Sequence, residues 1–142
     1  MLNFFKSKPT TPQKPKTLGQ LGEEFAQKEY ERRGYKIVAS NFFNKKGLRL
    51  GEIDFIAKNK EKIIFVEVKT RVSETGKFGS GAEAVDKFKQ IKFLKAVKIF
   101  LQKNPEFYEF LPQIDVCLVI LPNIDKRPES VKIISNAVED WN

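Results

Sequence analysis

Three side chains able to manage a divalent metal and a water molecule, Asp54, Glu67 and Lys69, stand in two consecutive apolar segments of the chain. The segments are Gly51-Glu52-Ile53-Asp54-Phe55-Ile56-Ala57 and Ile63-Ile64-Phe65-Val66-Glu67-Val68-Lys69-Thr70. β-Branched and aromatic residues dominate both, and Lys58-Asn59-Lys60-Glu61-Lys62 between them is polar, so the pattern predicts two short strands joined by a turn. Side chains alternate along a strand, which puts Ile63, Phe65, Glu67 and Lys69 on one face. A face that is apolar for two positions and then carries an acid and a base needs a reason, because buried charge is costly unless paired or metal-bound. Neighbouring strands can converge Asp54 and Glu67 on one point with Lys69 beside them.

Two carboxylates are what Mg²⁺ (or Mn²⁺) commonly takes from a protein, the rest of its octahedron being water and substrate phosphate. Lys69 would orient or deprotonate the attacking water, or stabilise the charge that develops on phosphorus. The plain alternative is a cross-strand ion pair of Lys69 with Asp54 or Glu67 that only stabilises the sheet.

Around this trio stand weaker candidates. Glu52 lies two residues before Asp54, as a further ligand or as a solvated strand-end residue. Glu23 projects within about 20° of Tyr30 on a helix, at the margin of its apolar face, whereas Glu24 points almost opposite. Glu23 can therefore supply a third carboxylate, or be a surface glutamate. Lys89 and Gln90 near the start of a second helix are placed to touch phosphate or water, or solvent alone. Asp115 opens an apolar strand and would cap the preceding turn or pair with Arg71.

The composition restricts the rest. The 142 residues carry 26 Lys and Arg against 18 Asp and Glu, a net charge of +8. That excess calls for an anionic partner, nucleic acid before an acidic membrane surface. The chain has no histidine, which removes imidazole base catalysis, a His-containing zinc site and an imidazole pH switch. The single Cys117 lies in an apolar run and reads as a small buried hydrophobe; one cysteine excludes an internal disulfide and fits a reducing compartment. No stretch approaches the ~20 apolar residues of a membrane span, and the expected location is the cytoplasm.

Residues 1–16 hold three of the seven prolines and four lysines, and read as a disordered basic arm preceding a domain over 17–142. A helix is predicted from Thr17, its N-cap, to Gly34, with Leu18, Leu21, Gly22, Phe25, Ala26 and Tyr30 on its apolar face. Tyr35 to Ala39 reads as a first strand, and Asn41 to Leu50 as a basic turn with Lys45, Lys46 and Arg49. After Lys69 a glycine-containing loop begins at Thr70-Arg71, and a second helix is expected from about Gly81 to Lys103. Strands follow at Ile114–Leu121, bounded by Pro112 and Pro122, and at Val131–Ile134. The order of helix, three strands, helix and two strands predicts an α/β fold with a central mixed five-stranded sheet flanked by helices.

Longer motifs amount to a resemblance. Asp…Glu-x-Lys on consecutive strands, after a helix with a glutamate, is similar to the PD-(D/E)xK nuclease superfamily. More closely, Gly-Glu-x-x-Ala (22–26), Gly-Glu-Ile-Asp-Phe-Ile-Ala (51–57), Phe-Val-Glu-Val-Lys-Thr-Arg (65–71), Lys89-Gln90, Ile114-Asp115-Val116 and Asn136-Ala137 resemble the YraN family, which is itself similar to archaeal Holliday-junction resolvases. The likeness covers residues 18–138. It implies a restriction-endonuclease-like fold, with Glu23, Asp54 and Glu67 as metal ligands, Lys69 as the catalytic lysine and Gln90 as an accessory site residue. The chain departs from the pattern in Phe42-Phe43, where an arginine is usual, and in lacking a late histidine before Asn136-Ala137.

The resulting expectation is a Mg²⁺- or Mn²⁺-dependent endonuclease hydrolysing phosphodiester bonds in structured, branched DNA, with Lys45, Lys46, Arg49, Arg71 and Lys89 on the nucleic acid. Symmetric cutting of two strands would require a homodimer. The alternatives are a non-catalytic nucleic-acid-binding protein that retains the nuclease fold, and a basic protein whose partner is another protein.

Overall fold

Thr17 starts the first helix by a reciprocal cap: its hydroxyl accepts from the Gln20 N–H at 3.1 Å and the Gln20 side chain accepts from the Thr17 N–H at 2.9 Å, which satisfies two backbone donors that the first turn leaves unpaired. Helix α1 (Leu18–Arg32) ends at Gly34, whose φ of 93° only glycine adopts without cost, and the Tyr35 N–H returns to the Tyr30 carbonyl at 3.0 Å. The remaining elements are β1 (Lys36–Phe43), β2 (Glu52–Lys58), β3 (Lys62–Val72), α2 (Lys87–Lys103), a 3₁₀ turn (Pro105–Phe107), β4 (Leu111–Leu121) and β5 (Ser130–Ile134). This computed structural model describes residues 15–43, 52–72, 87–122, 128 and 130–138, without the side chains at 42, 43, 52 and 87–89. The expected basic arm, apart from Pro15 and Lys16, and the expected helix start at 81–86 lie outside the described residues.

The five strands form one mixed sheet in the order β1-β2-β3-β4-β5. β1, β2 and β3 are an antiparallel meander, α2 carries the chain across so that β4 lies parallel to β3, and β5 returns antiparallel to β4. The β2–β3 hairpin is tied by Asn59, whose side-chain oxygen accepts from the Glu61 and Lys62 N–H groups at 2.8 and 2.7 Å. The expected α/β architecture is therefore present.

Each face of the sheet is covered by one helix. Ala26 and Tyr30 of α1 pack on Phe55, Ala57, Ile64, Val66, Cys117, Val119 and Leu121. Phe93, Ala96, Val97 and Phe100 of α2 pack on the other face against Ile53, Ile56, Ile63, Phe65 and Ile114. Because β3 and β4 are covered on both sides, their apolar runs are nearly continuous rather than alternating.

Three strand boundaries differ from the sequence expectation. β3 runs on through Thr70 and Arg71 to Val72, where a loop was expected, because all three residues pair with β4. β1 continues past Ala39 to Phe43, through Asn41 at a φ of 53° and a register shift between Ile37 and Ala39; pairing with β2 outweighs the turn preference of Ser40-Asn41. β4 begins before Pro112, at Leu111, whose N–H donates to the Glu61 carbonyl at 2.8 Å. Pro112 has a partner in β3, and the recorded pairing with β5 spans only Val116–Ile120, so its missing N–H breaks no ladder on that side.

Asp115 neither caps a turn nor pairs with Arg71. It is 1% exposed, and its carboxylate accepts from the Tyr30 hydroxyl at 2.7 Å, the Gln113 amide at 2.8 Å and the Asn136 N–H at 3.2 Å. Three donors make burial of the carboxylate tolerable and lock α1, β4 and the turn after β5 together. Burial, reinforced by this carboxylate, holds the Tyr30 hydroxyl protonated far above the ordinary phenol range and pushes the Cys117 thiol up to about 12.

Asp115→Ala should cost roughly 3 kcal/mol or more, since it strands buried donors, and Tyr30→Phe roughly 1–3 kcal/mol. Urea unfolding with an unchanged m-value checks both, and a loss below about 1 kcal/mol for Asp115→Ala would remove the lock. Alkali gives a second check. Tyr30 and Cys117 have folded-state pKa values above their ordinary ones, so their contribution is complete below the unfolded thiol value, about 9, and is lost as pH rises through about 12. The unfolding midpoint should fall across that interval; a midpoint that rises there would contradict the assignment.

Candidate functional site

The sheet is continuous between β2 and β3 from Lys58↔Ile63 to Phe55↔Val66, and the recorded pairing stops there. Asp54 is the next residue of β2. Its carboxylate accepts from the Val68 N–H at 2.7 Å, taking a donor that a continued ladder would have given to backbone. The side-chain alternation of β2 also breaks here: Phe55 and Ala57 pack on the α1 side, but both Ile56 and Ile53 join the α2 side. Asp54 thus sits at a fork where β2 leaves β3, half-buried and anchored to the strand that carries Glu67 and Lys69.

Glu67 and Lys69 lie on the α2 face of β3, as two-residue alternation from Ile63 and Phe65 requires. Their side chains pair at 3.1 Å, with only 20% and 11% of their surfaces exposed. An ion pair this shielded draws more from its Coulomb attraction than a surface pair does, and removal of one partner leaves the other charge poorly solvated. With Asp54 accepting from the N–H next to Glu67, two carboxylates and an ammonium group are gathered around residues 67–69.

Helix α1 stands behind this stretch, on the opposite face. A Cβ built on Gly22 would lie 2.9 Å from the Thr70 Cβ and far inside contact with its hydroxyl oxygen, so only glycine allows the helix to come this close. Glu23 is therefore delivered by the turn of α1 that touches the residue after Lys69; it is half-buried and engaged in an interaction of its own. Among the described residues no group of three or more His, Cys, Asp or Glu side chains is gathered as a metal cage. Glu23 is the candidate third carboxylate, carried by α1.

Gln90 is half-buried three residues before Phe93, on the sheet-facing side of α2. Because α2 runs back from the end of β3 to the start of β4, its first turn lies toward the Glu67–Lys69 end of the sheet. Lys89 belongs to α2, but its side chain is outside the described set, as are Lys45, Lys46 and Arg49 entirely. Glu52 begins β2. Arg71 is exposed on the same face as Lys69 and donates to the Thr70 carbonyl at 2.9 Å. No spacing pattern pointed to the Asp115–Tyr30 lock, but a glycine inside the apolar stripe of α1 was a signal of close approach at Gly22.

The donor set suits a hard, oxygen-seeking cation. Two carboxylates are what Mg²⁺ or Mn²⁺ commonly takes from a protein. A structural zinc site would need Cys or His ligands, and the chain has only the buried Cys117 on the other face.

A mixed sheet with a helix on each face and an acid–lysine group at a split in that sheet defines an α/β protein with a candidate functional site. The model of the "Uncharacterised protein family UPF0102" matches residues 22–119, and the chain belongs to that family. It is 40% identical over 122 residues to a UPF0102 protein of Caldanaerobacter subterraneus subsp. tengcongensis, covering 86% of this chain and 94% of the relative. It is 39% identical over 124 residues to a UPF0102 protein of Clostridium botulinum strain Loch Maree, covering 87% and 95%. The family-level resemblance read from the motifs is thereby borne out. Its matched span contains Gly22, Glu23, Asp54, Glu67, Lys69, Gln90 and Asp115.

Gly22→Ala should push α1 off Thr70 and lower stability by roughly 1–3 kcal/mol, the usual cost of overpacking. Thr70→Ala in the same chain should recover part of that loss. Equal stability of Gly22→Ala and wild type by thermal unfolding would contradict the close contact.

Proposed function

We propose that the protein is a metal-dependent endonuclease that hydrolyses phosphodiester bonds in structured DNA, branched junctions being the favoured substrate. The observation that carries this reading is the fork: Asp54 on the Val68 N–H at 2.7 Å and the shielded Glu67–Lys69 pair at 3.1 Å, in a chain of net charge +8. The resemblance of Asp54, Glu67 and Lys69 to the Asp…Glu-x-Lys pattern of the PD-(D/E)xK nucleases supports this reading.

Asp54 and Glu67 would hold Mg²⁺ (or Mn²⁺), which when bound polarises a phosphoryl oxygen and lowers the pKa of a bound water. Asp54 is oriented before any ligand arrives, since one of its oxygens is committed to the Val68 N–H. Lys69 is held against Glu67, so its ammonium stands where it can orient the attacking water or stabilise charge on the transferred group. Glu23 would add a third carboxylate ligand from α1, and Gln90 on α2 would be an accessory residue. Cutting both strands of a junction calls for two copies of the site and hence a homodimer. Cytoplasmic location follows from a DNA substrate and the lone cysteine; no helix among the described residues is long and apolar enough to cross a membrane.

A second reading rests on the same ion pair. If Glu67 and Lys69 serve only each other, the protein is a non-catalytic nucleic-acid-binding module on a nuclease scaffold, with salt-dependent binding that needs no metal.

The test is cleavage of a labelled four-way junction, matched duplex and single strand in Mg²⁺, Mn²⁺ or EDTA. Metal-dependent cutting should fall at least about 100-fold in Asp54→Ala and Lys69→Ala, the scale of losing electrostatic or proton-transfer help. Cutting that survives in highly purified variants would place the site elsewhere. Binding without cutting under every condition would favour the second reading.

A further inference from the structure

The α2 face of the sheet continues beyond the candidate centre, across β4 to β5. Register places Glu67 beside Val116 and Ile134, Lys69 beside Leu118 and Lys132, and Arg71 beside Ile120 and Ser130. The opposite face of the same strands is accounted for by the α1 core, into which Val68, Cys117, Val119, Val131 and Ile133 pack. Lys132 therefore shares a face with Lys69, with Leu118 as the floor between them. Lys132 and Arg71 are both exposed, and neither forms an ion pair with a described residue.

Three cations stand on one sheet face, and two of them pair with no carboxylate among the described residues, which makes an anion-binding ledge beside the centre. We propose that this ledge carries the nucleic-acid backbone away from the cleavage point, with Lys132 contacting a phosphate that is not the one cut. The occupant is a nucleic-acid strand because the cations recur at the spacing of a polyanion. Two strand separations put Lys132 about 10 Å from Lys69, and two residues along β3 put Arg71 about 7 Å from Lys69. One duplex strand carries a phosphate for each rise of about 3.4 Å along the helix axis, so cations set about 7 and 10 Å from Lys69 meet phosphates other than the one beside it. Ser130, one row further on, is a neutral hydrogen-bond donor on the same ledge.

This inference rests on the nucleic-acid reading of the centre, and the experiment separates the two. Full-length wild type, Lys132→Gln, Lys132→Arg and the control Lys36→Gln, at the opposite edge of the sheet, are compared by anisotropy with labelled single-strand and junction DNA in EDTA at several salt concentrations. Cleavage in Mg²⁺ at saturating protein is measured alongside. Lys132→Gln should weaken binding about 3- to 10-fold at moderate salt and reduce the slope of log affinity against log salt by about one ion. Its saturating cleavage rate should be unchanged, Lys132→Arg should bind like wild type, and Lys36→Gln should have no effect.

Unchanged affinity and slope in Lys132→Gln, with cutting intact in wild type, would overturn the ledge and leave the nuclease reading standing. A loss of binding in Lys132→Gln when wild type binds but never cuts would support the ledge and overturn the nuclease. Wild type that binds no nucleic acid would overturn both. A lysine that merely guards an edge strand against pairing predicts the first of these outcomes.

Discussion

A backbone N–H in the interior of a sheet must find an acceptor, and at Val68 that acceptor is a side chain. The neighbouring strand has turned away, and Asp54 fills the gap with its carboxylate at 2.7 Å. This substitution keeps the donor satisfied and ends the β2–β3 ladder. It also fixes an acidic group beside the strand that bears Glu67 and Lys69. Had the ladder continued, Asp54 and Glu67 would simply have been cross-strand neighbours facing each other as like charges, an arrangement that destabilises a sheet. The fork turns a liability into a concave group of charges.

The surroundings make that group rigid. β3 is central, paired on both sides over its buried half and parallel to β4 along its whole length. Behind it α1 is held at two points, by the Gly22–Thr70 contact and by Tyr30 on Asp115. The first contact is one residue after Lys69, and the second falls on the β4 residue that pairs with Val66, just before Glu67. The charged stretch of β3 is thus bracketed from behind by an apolar helix face. Rigid positioning of this kind is what an electrostatic site needs, because dipoles and charges that are already in place cost no reorganisation when charge develops.

Much of this was legible in the sequence because it is local. Two-residue alternation placed Ile63, Phe65, Glu67 and Lys69 on one face, Thr17 and Gly34 marked the ends of α1, and the stripe from Leu18 to Tyr30 marked its buried side. What escaped the sequence is what depends on distant partners. Asp115 takes its hydrogen bonds from a residue 85 positions earlier and another 21 later, and no spacing rule connects them. Asn41, read as the start of a basic turn, is instead carried into β1 by pairing with β2, while Pro112 is admitted to β4 because the recorded β4–β5 pairing begins only at Val116. Lys132 looked like an ordinary polar position on a short strand; only the register across β4 puts it in line with Lys69.

Titration of the purified protein with Mn²⁺, followed by calorimetry or by the loss of the free-ion spin-resonance signal, tests the proposed cation site of Asp54 and Glu67 without requiring turnover. Saturable Mn²⁺ binding that competes with Mg²⁺ and is lost in Asp54→Asn and in Glu67→Gln, both variants remaining folded, is expected. Binding of equal strength in wild type and both variants, or none in any of them even with DNA present, would contradict it.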